Sequence, residues 1–160
     1  MQIIDNFLEE PYFKRLEKLL NMYEFPWFTR KDISEKGKFS GHIYYQSHTF
    51  YQDNKILSAF FDELQPLCEK LEVRSLLRIK ANLFPAKENL TENGWHTDYD
   101  FDNKTALLYI NTNDGYTKLH DGTKIDSIRN RVLIFDSSTR HLSTNCTNDW
   151  ARLNINLNYF

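Results

Sequence analysis

Apolar side chains recur every three or four residues in two stretches of the first half of the chain, the spacing of one helix face. The first stretch covers residues 12–22 and follows a proline, which suits the first turn of a helix. The second covers residues 55–71, and Pro66 inside it predicts a kink or a break. Between them, residues 41–52 are rich in Tyr, Phe, Thr and Ile, which favours a strand. Residues 1–72 are therefore predicted to form a helix-rich support.

From residue 73 onward the pattern changes to short apolar runs separated by turn residues. Asn113-Asp-Gly115 and Asp121-Gly122 lie between runs and are typical of hairpin turns. Seven or eight strands at this spacing favour a β-sandwich or a jelly roll, with the helices packed on one sheet. One domain is predicted over residues 1–160, with its β core at about 73–160. The predicted strands cover residues 73–84, 95–99, 104–111, 116–120, 123–128, 131–136, 141–146 and 151–160.

The last predicted strand alternates between polar and apolar side chains. Arg152, Asn154, Asn156 and Asn158 share one face, and the residues between them are apolar. Asparagine is disfavoured in strands, so three on one face require an explanation. Either the polar face is an outer, solvated surface, or it lines a wet cleft inside a barrel while the apolar face packs against the helices.

The composition excludes several classes of protein. The 160 residues are 41% hydrophobic and 15% aromatic, enough for a folded core. Lys and Arg total 20 against 22 Asp and Glu, and a net charge of -2 provides no basic field for nucleic acid or anionic membranes. Two cysteines outside any CxxC pair fit a reducing compartment. Because no apolar run approaches roughly 18 residues, we predict a cytoplasmic protein with no membrane or nucleic-acid partner.

His96 and Asp98 are two residues apart in a predicted strand, so their side chains share one face and can bind one ion. His141 follows a later apolar run and adds a second imidazole. Two histidines and a carboxylate form the facial triad of non-haem Fe(II) oxygenases, which leaves coordination positions open for a chelating co-substrate and O₂. Arg152 adds the fixed cation that the far carboxylate of a dicarboxylic co-substrate needs.

Together these residues resemble the 2-oxoglutarate and Fe(II)-dependent oxygenases, specifically the prolyl 4-hydroxylase-like branch. The similarity covers roughly residues 77–160, and Arg152 lies eleven residues after His141, a separation like the family's. The resemblance implies a mainly β (α+β) fold, a double-stranded β-helix or jelly roll with N-terminal helices packed on one sheet. Its markers are His96-x-Asp98, Ala106-Leu-Leu-Tyr-Ile-Asn111, Asn130-Arg-Val-Leu-Ile-Phe-Asp136, His141 and the strand that begins at Arg152.

The resemblance also implies the site and its chemistry. His96, Asp98 and His141 are expected to bind Fe(II), and Arg152 to pair with the distal carboxylate of 2-oxoglutarate. The implied reaction uses O₂ and releases succinate and CO₂ while it hydroxylates an unactivated C–H bond. Peptidyl proline is the substrate that family analogy favours. The alternatives are the same chemistry on a small molecule or another side chain, or a non-catalytic jelly-roll module that binds a metal or ligand.

The chain departs from its relatives near the co-substrate. Relatives often carry tyrosine hydroxyls where this chain has Phe84 and Leu108, so both hydroxyls are expected to be missing. Asn82 shares a strand face with Phe84. We therefore predict that Asn82, together with Asn154 or Asn156, supplies replacement hydrogen bonds to the co-substrate.

The other histidines and aromatic residues have simpler interpretations. His42, His48 and His120 have no carboxylate at strand spacing and are predicted to pack or cap locally. Aromatic side chains of the first half either fill the core or form a lid that excludes water from the site. These aromatic residues are Trp27, Phe28, Tyr44, Tyr45, Phe50 and Tyr51.

Overall fold

Helix α1 (Glu10–Leu20) forms from the first amphipathic stretch, with a proline in its first turn. The structure is a computed structural model, and it describes residues 1–30 and 44–160. The second predicted helix is wrong over its first part, because residues 55–56 form a short strand. A 3-10 helix at Phe61–Leu64 and α2 (Gln65–Lys70) follow, and Pro66 lies in the first turn of α2, where its missing N–H is not needed. None of the helices in the described ranges has the length and apolar character needed to cross a membrane.

Most strands form where apolar runs between turn residues predict them. The predicted strand 95–99 is wrong, since that segment pairs only through an isolated bridge at His96. Residues 41–43 of another predicted strand lie outside the described residues. The strands are β1 (Gln2–Ile4), β2 (Phe28–Arg30), β3 (Tyr45–Gln52), β4 (Lys55–Ile56), β5 (Leu76–Pro85), β6 (Lys104–Tyr109), β7 (Tyr116–Leu119), β8 (Lys124–Asp126), β9 (Val132–Asp136), β10 (His141–Ser143) and β11 (Ala151–Tyr159).

The strands pair into two antiparallel sheets, and the predicted jelly roll is confirmed. Within the described residues, the large sheet has the order β1-β9-β6-β11-β5-β3-β2, with β4 paired to β3. The small sheet has the order β10-β7-β8. Both edges of the large sheet, β1 and β2, come from the first 72 residues, so the predicted helix-rich support also contributes strands.

The central strands of the large sheet are buried on both faces, while its edge strands β1 and β2 are exposed. Its outer face packs against the two helices, where Leu16 and Leu67 join Ile155 of β11 in one apolar core. The polar residues of β11 point to the inner face, and Asn154 and Asn158 are only 3% and 0% exposed. The solvated-surface interpretation of this strand is therefore wrong, and its polar face lines the interior of the jelly roll.

A smaller apolar cluster fills one part of the interior between the two sheets. It comes from the inward faces of β6 to β9. In β6 and β9, side chains alternate between this interior and the helix-covered core. The polar faces of β5 and β11 lie beside this cluster and leave room for a site. The cluster consists of Leu107, Tyr109, Leu119, Ile125, Leu133 and Phe135.

Candidate functional site

His96 and His141 form a cross-strand pair between the segment after β5 and strand β10. The N–H of His96 donates to the carbonyl of His141 at 2.9 Å, and the N–H of His141 donates back at 2.8 Å. Side chains of such a pair project to the same side, and the ring centres lie 4.4 Å apart. The backbone thus sets the spacing of the two imidazoles.

Both imidazoles are held in the tautomer that a metal ligand needs. Nδ1 of His96 lies 3.2 Å from the carbonyl oxygen of Gly94, and Nδ1 of His141 lies 2.9 Å from that of Thr139. Because a carbonyl oxygen only accepts, each Nδ1 carries a proton, which makes Nε2 the ligand atom of the neutral ring. Burial lowers the pKa of His96 to about 4, so its ring is neutral at pH 7.

Asp98 brings a carboxylate to the same point. One ligand atom from each of His96, Asp98 and His141 lies within 4.8 Å of the other two, so one ion can contact all three. Burial opposes the ionisation of Asp98, but the neighbouring positive charges, led by Arg78, hold its pKa well below its usual range. The group is an anion at neutral pH and can serve as a ligand.

Both carboxylate oxygens of Asp98 accept hydrogen bonds from the barrel. Arg78 Nη2 donates to Oδ1 at 3.1 Å and forms an ion pair with it. Thr105 Oγ1, Asn156 Nδ2 and Asn158 Nδ2 donate to Oδ2 at 3.0, 3.1 and 3.0 Å. Contacts of this kind orient a carboxylate ligand. Two of the three unusual asparagines of β11 therefore support the carboxylate of the candidate metal site.

Arg152 is fully buried at the other end of the polar face. Its Nη2 donates to Thr117 Oγ1 at 3.0 Å and its Nη1 to the Thr144 carbonyl at 3.3 Å. Its guanidinium carbon lies 5.6 Å and 5.4 Å from the ring centres of Phe84 and Tyr109. Among the described residues, Nε has no hydrogen-bond partner and no carboxylate pairs with the guanidinium. Buried charges are normally paired, so this arrangement suits an anionic ligand.

One tyrosine hydroxyl does lie in the interior, contrary to the expectation that both are missing. Leu108 packs in the helix-covered core, while its neighbour Tyr109 points inward. The Tyr109 hydroxyl donates to Thr117 Oγ1 at 2.9 Å, the same oxygen that accepts from Arg152. Strand β6 therefore presents Tyr109, and not Leu108, to the interior. Its run of consecutive hydrophobic residues gives no alternation that would identify the inward face.

The predicted co-substrate contacts of Asn82 and Asn156 stay predictions. Asn82 Nδ2 donates to Asn154 Oδ1 at 2.9 Å, and Asn156 Nδ2 donates to Asp98. The side-chain oxygens of Asn82 and Asn156 are buried and have no donor among the described residues. Both side chains line the cavity, where each still has one amide N–H and its side-chain oxygen open.

A single cavity brings these groups together. It joins the three candidate metal ligands to Arg152 and includes Lys80, which the sequence did not identify. It also includes Tyr45, one of the aromatic residues predicted to fill the core or form a lid. Burial and the charge of Arg78 lower the pKa of Lys80 to about 8. The cavity is lined by Tyr45, Lys80, Asn82, Phe84, His96, Asp98, Leu107, Thr117, His141, Ser143, Arg152, Asn154 and Asn156.

The other histidines behave as local packing residues where they are described. His48 contacts the Pro26 carbonyl and Ser58 Oγ, both at 2.8 Å, and lies among core aromatic rings. His120 lies edge-on to Trp95 at 5.8 Å. His42 lies outside the described residues.

Solved structures similar to the chain were found over its whole length. A prolyl hydroxylase from Trichoplax adhaerens, in complex with a hypoxia inducible factor oxygen degradation domain peptide fragment, has a TM-score of 0.75 and 19% identity, with 99% of this chain and 82% of that chain covered. An oxidoreductase of the 2OG-Fe(II) oxygenase family from Burkholderia pseudomallei has a TM-score of 0.71 and 10% identity, covering 98% and 84%. The chain has the fold of the 2-oxoglutarate and Fe(II)-dependent oxygenases.

A prolyl-4-hydroxylase from Pseudomonas putida shares this oxygenase fold with a TM-score of 0.58 and 14% identity, covering 99% of this chain and 91% of that chain. No family model matches the sequence, and no curated protein matches it. The comparisons therefore establish the oxygenase fold, while the activity has to be argued from the cavity itself.

Proposed function

We propose that the protein is an Fe(II)- and 2-oxoglutarate-dependent dioxygenase. The observation that carries the proposal is the shared cavity of a two-histidine, one-carboxylate cluster and Arg152, a buried guanidinium without a carboxylate partner in the described residues. A module that only held a metal would have no need for this buried cation, whose burial is unfavourable unless an anion binds.

The residues present fit a redox-active divalent metal. His96 and His141 offer neutral Nε2 atoms, and Asp98 offers an oriented carboxylate. Two imidazoles and one carboxylate on one side of an ion leave the other positions open, as in non-haem Fe(II) oxygenases. When bound, Fe(II) together with 2-oxoglutarate and O₂ would supply the oxidising chemistry, with succinate and CO₂ as products. The protein supplies position, orientation and a cavity shielded from water.

The co-substrate is held at two ends in this proposal. Arg152 pairs with the distal carboxylate of 2-oxoglutarate, and the hydroxyls of Thr117 and Tyr109 lie beside the same guanidinium. The metal end of the molecule lies at the His96, Asp98 and His141 cluster. Asn82 and Asn156 lie on the cavity wall between. The further co-substrate contacts that we propose are donated by the second amide N–H of each, which leaves their side-chain oxygens open.

Two substrate classes follow from different observations. The names of two structural neighbours, both prolyl hydroxylases and one with a bound peptide, favour hydroxylation of a peptidyl proline. Lys80 inside the cavity favours a small molecule with a negative charge. In both cases the reaction is hydroxylation of an unactivated C–H bond.

The proposed function is tested by an anaerobic titration of the protein with Fe(II) and 2-oxoglutarate. We expect a visible metal-to-ligand charge-transfer band that needs both additions, and succinate formation once air is admitted. His96→Ala should abolish the band through loss of the metal. Wild-type protein that binds Fe(II) and 2-oxoglutarate without any such band or succinate would contradict the proposal.

A further inference from the structure

A second cation, Lys80, lies in the cavity wall and has no part in the chemistry proposed above. Lys80 stands opposite Asn156 in the pairing of β5 with β11, whereas Arg152 stands opposite Phe84. The two positions are four residues apart along the strands, about 13 Å at the usual strand rise. Because Asn156 donates to Asp98, Lys80 marks the metal end of the cavity and Arg152 marks the opposite end.

No acidic side chain in residues 1–30 or 44–160 forms an ion pair with Lys80. Asp98 is close enough to act on it electrostatically, but its two oxygens already accept four hydrogen bonds. Arg78 and Arg30 add positive charge on the same side, and Arg30 Nε donates to Ser47 Oγ at 3.0 Å. Among the described residues, this end of the cavity therefore has an excess of positive charge, which a bound anion would neutralise.

Two acceptors lie beside this cation. The side-chain oxygens of Asn82 and Asn156 are buried without a donor from the described residues. The position of Asn156 is directly opposite Lys80 in the strand register, and Asn82 is two residues along the same face of β5. Unpaired buried acceptors are unfavourable, and an N–H or O–H group of a ligand would satisfy them.

We propose that the molecule oxidised by this protein is a small carboxylic acid, bound through its carboxylate to Lys80 and through an amine or hydroxyl group to the side-chain oxygens of Asn82 and Asn156. The proposal rests on the proposed dioxygenase function and specifies its substrate class. A proline inside a peptide has no carboxylate of its own, so the charge of the cavity favours a free acid over a peptide segment. The side-chain oxygens of Asn82 and Asn156 favour acids that also carry an N–H or O–H hydrogen-bond donor.

The test uses matched acids and amides. Succinate release above the rate without substrate is measured for three groups of compounds. These are free amino acids and short 2-hydroxy acids, the carboxamide of each acid, and a proline peptide with blocked ends. We expect acids to stimulate turnover and their amides to do so at least about 30-fold more weakly, the loss typical of an unpaired buried charge. Lys80→Met should raise the KM for a stimulating acid by a similar factor and remove its advantage over the amide. Lys80→Arg, which keeps the positive charge, should retain part of the preference for acids over amides.

Three outcomes would overturn the proposal. The first is stimulation of turnover by the blocked peptide alone, and the second is a preference for acids over amides that persists in Lys80→Met. The third is that Lys80→Met mainly raises the KM for 2-oxoglutarate, which would make Lys80 a ligand of the co-substrate. No response to any acid in wild-type protein that turns over 2-oxoglutarate would equally reject it. Lys124→Met, which removes an exposed lysine from β8, is the control. Failure of the dioxygenase function is recognised separately, by the absence of 2-oxoglutarate turnover in wild type.

Discussion

Gly115 leaves the space that Arg152 occupies. A Cβ atom at residue 115 would lie 2.6 Å from Cδ of Arg152 and 2.5 Å from the carbonyl oxygen of Asn145. Both distances are far inside van der Waals contact, so glycine is required here by close approach. The turn before β7 and the buried guanidinium of β11 are thus fitted to one another, although 37 positions separate them in the chain.

We expect Gly115→Ala to impair the binding of 2-oxoglutarate while iron binding persists. The added methyl must displace Arg152 or the backbone at Asn145, at a stability loss of about 1–3 kcal/mol. The KM for the co-substrate should rise about tenfold, because a displaced guanidinium no longer meets the distal carboxylate. Succinate assays at varied co-substrate concentration and metal titrations measure the two effects.

Gly122→Ala is the matched control for that prediction. Gly122 has φ 92° and open space where a Cβ would lie, so the change strains the backbone without touching Arg152. It should lose about 1 kcal/mol of stability and leave the KM for the co-substrate unchanged. Equal effects of the two variants on that KM would show that Gly115 acts only through stability.

Asn158→Leu should weaken metal binding without changing the affinity for 2-oxoglutarate. Asn158 is fully buried and donates to Asp98 Oδ2 and to Thr105 Oγ1. Removing a group that orients a metal-binding carboxylate typically lowers metal affinity 10- to 100-fold. Co(II) or Fe(II) titration followed by calorimetry measures the effect. Asn154→Leu, on the same face of β11, removes a partner of Asn82 rather than of Asp98 and should leave the metal affinity intact.

Metal titration and the KM for 2-oxoglutarate together separate two roles for Asn156. Its amide N–H donates to Asp98, while its predicted role is a contact with 2-oxoglutarate. If orienting Asp98 is its main role, Asn156→Leu should lower metal affinity as Asn158→Leu does. A higher KM for the co-substrate at saturating iron would instead support the predicted contact.

Much of this cavity could be predicted from the sequence, because its parts are short-range patterns. The spacing of His96 and Asp98 and the alternation along β11 both reflect the two-residue period of extended chain. The contacts of Asp98 with Arg78 and Thr105 could not be predicted in this way. They join segments 20 and 7 residues away through strand register, which depends on how the sheets close.

Lys80 could not be assigned to the cavity for a related reason. Strand β5 is buried on both faces, so its charged and apolar residues do not divide into solvent and core as they do in a half-exposed strand. Lys80 alternates with Ile79 and Ala81 like any surface lysine, yet its side chain lines the interior cavity. The predicted helix at 55–71 failed at its start because pairing of β4 with β3 overrode a helical spacing of apolar residues.

The metal-free protein should lose stability as the pH falls from 6.5 to 4. Burial lowers the pKa of His96 to about 4, so the unfolded chain binds a proton in this range that the folded chain does not. The free energy of unfolding should therefore decrease by about 2–3 kcal/mol over the interval. Urea unfolding at several pH values, with chelator present, measures this slope.

His96→Gln should flatten that pH dependence, because the residue responsible for the differential protonation is gone. His48, whose pKa is also lowered by burial, contributes a slope of the same sign that the variant retains. The control is His120→Gln, at an exposed position outside the cavity. An unchanged slope in His96→Gln would mean that His96 is not the group that resists protonation.

Arg152→Met should make the protein more stable and abolish its use of 2-oxoglutarate. The guanidinium is fully buried and has no carboxylate partner in the described residues, so its burial is unfavourable in the absence of a ligand. Replacing a buried charge with an apolar side chain of similar length typically stabilises a protein by about 1–4 kcal/mol. Thermal unfolding without co-substrate should show the gain, and the KM for the co-substrate should rise more than about 100-fold while Fe(II) still binds. A loss of stability together with a loss of iron would mean that Arg152 supports the fold rather than the co-substrate.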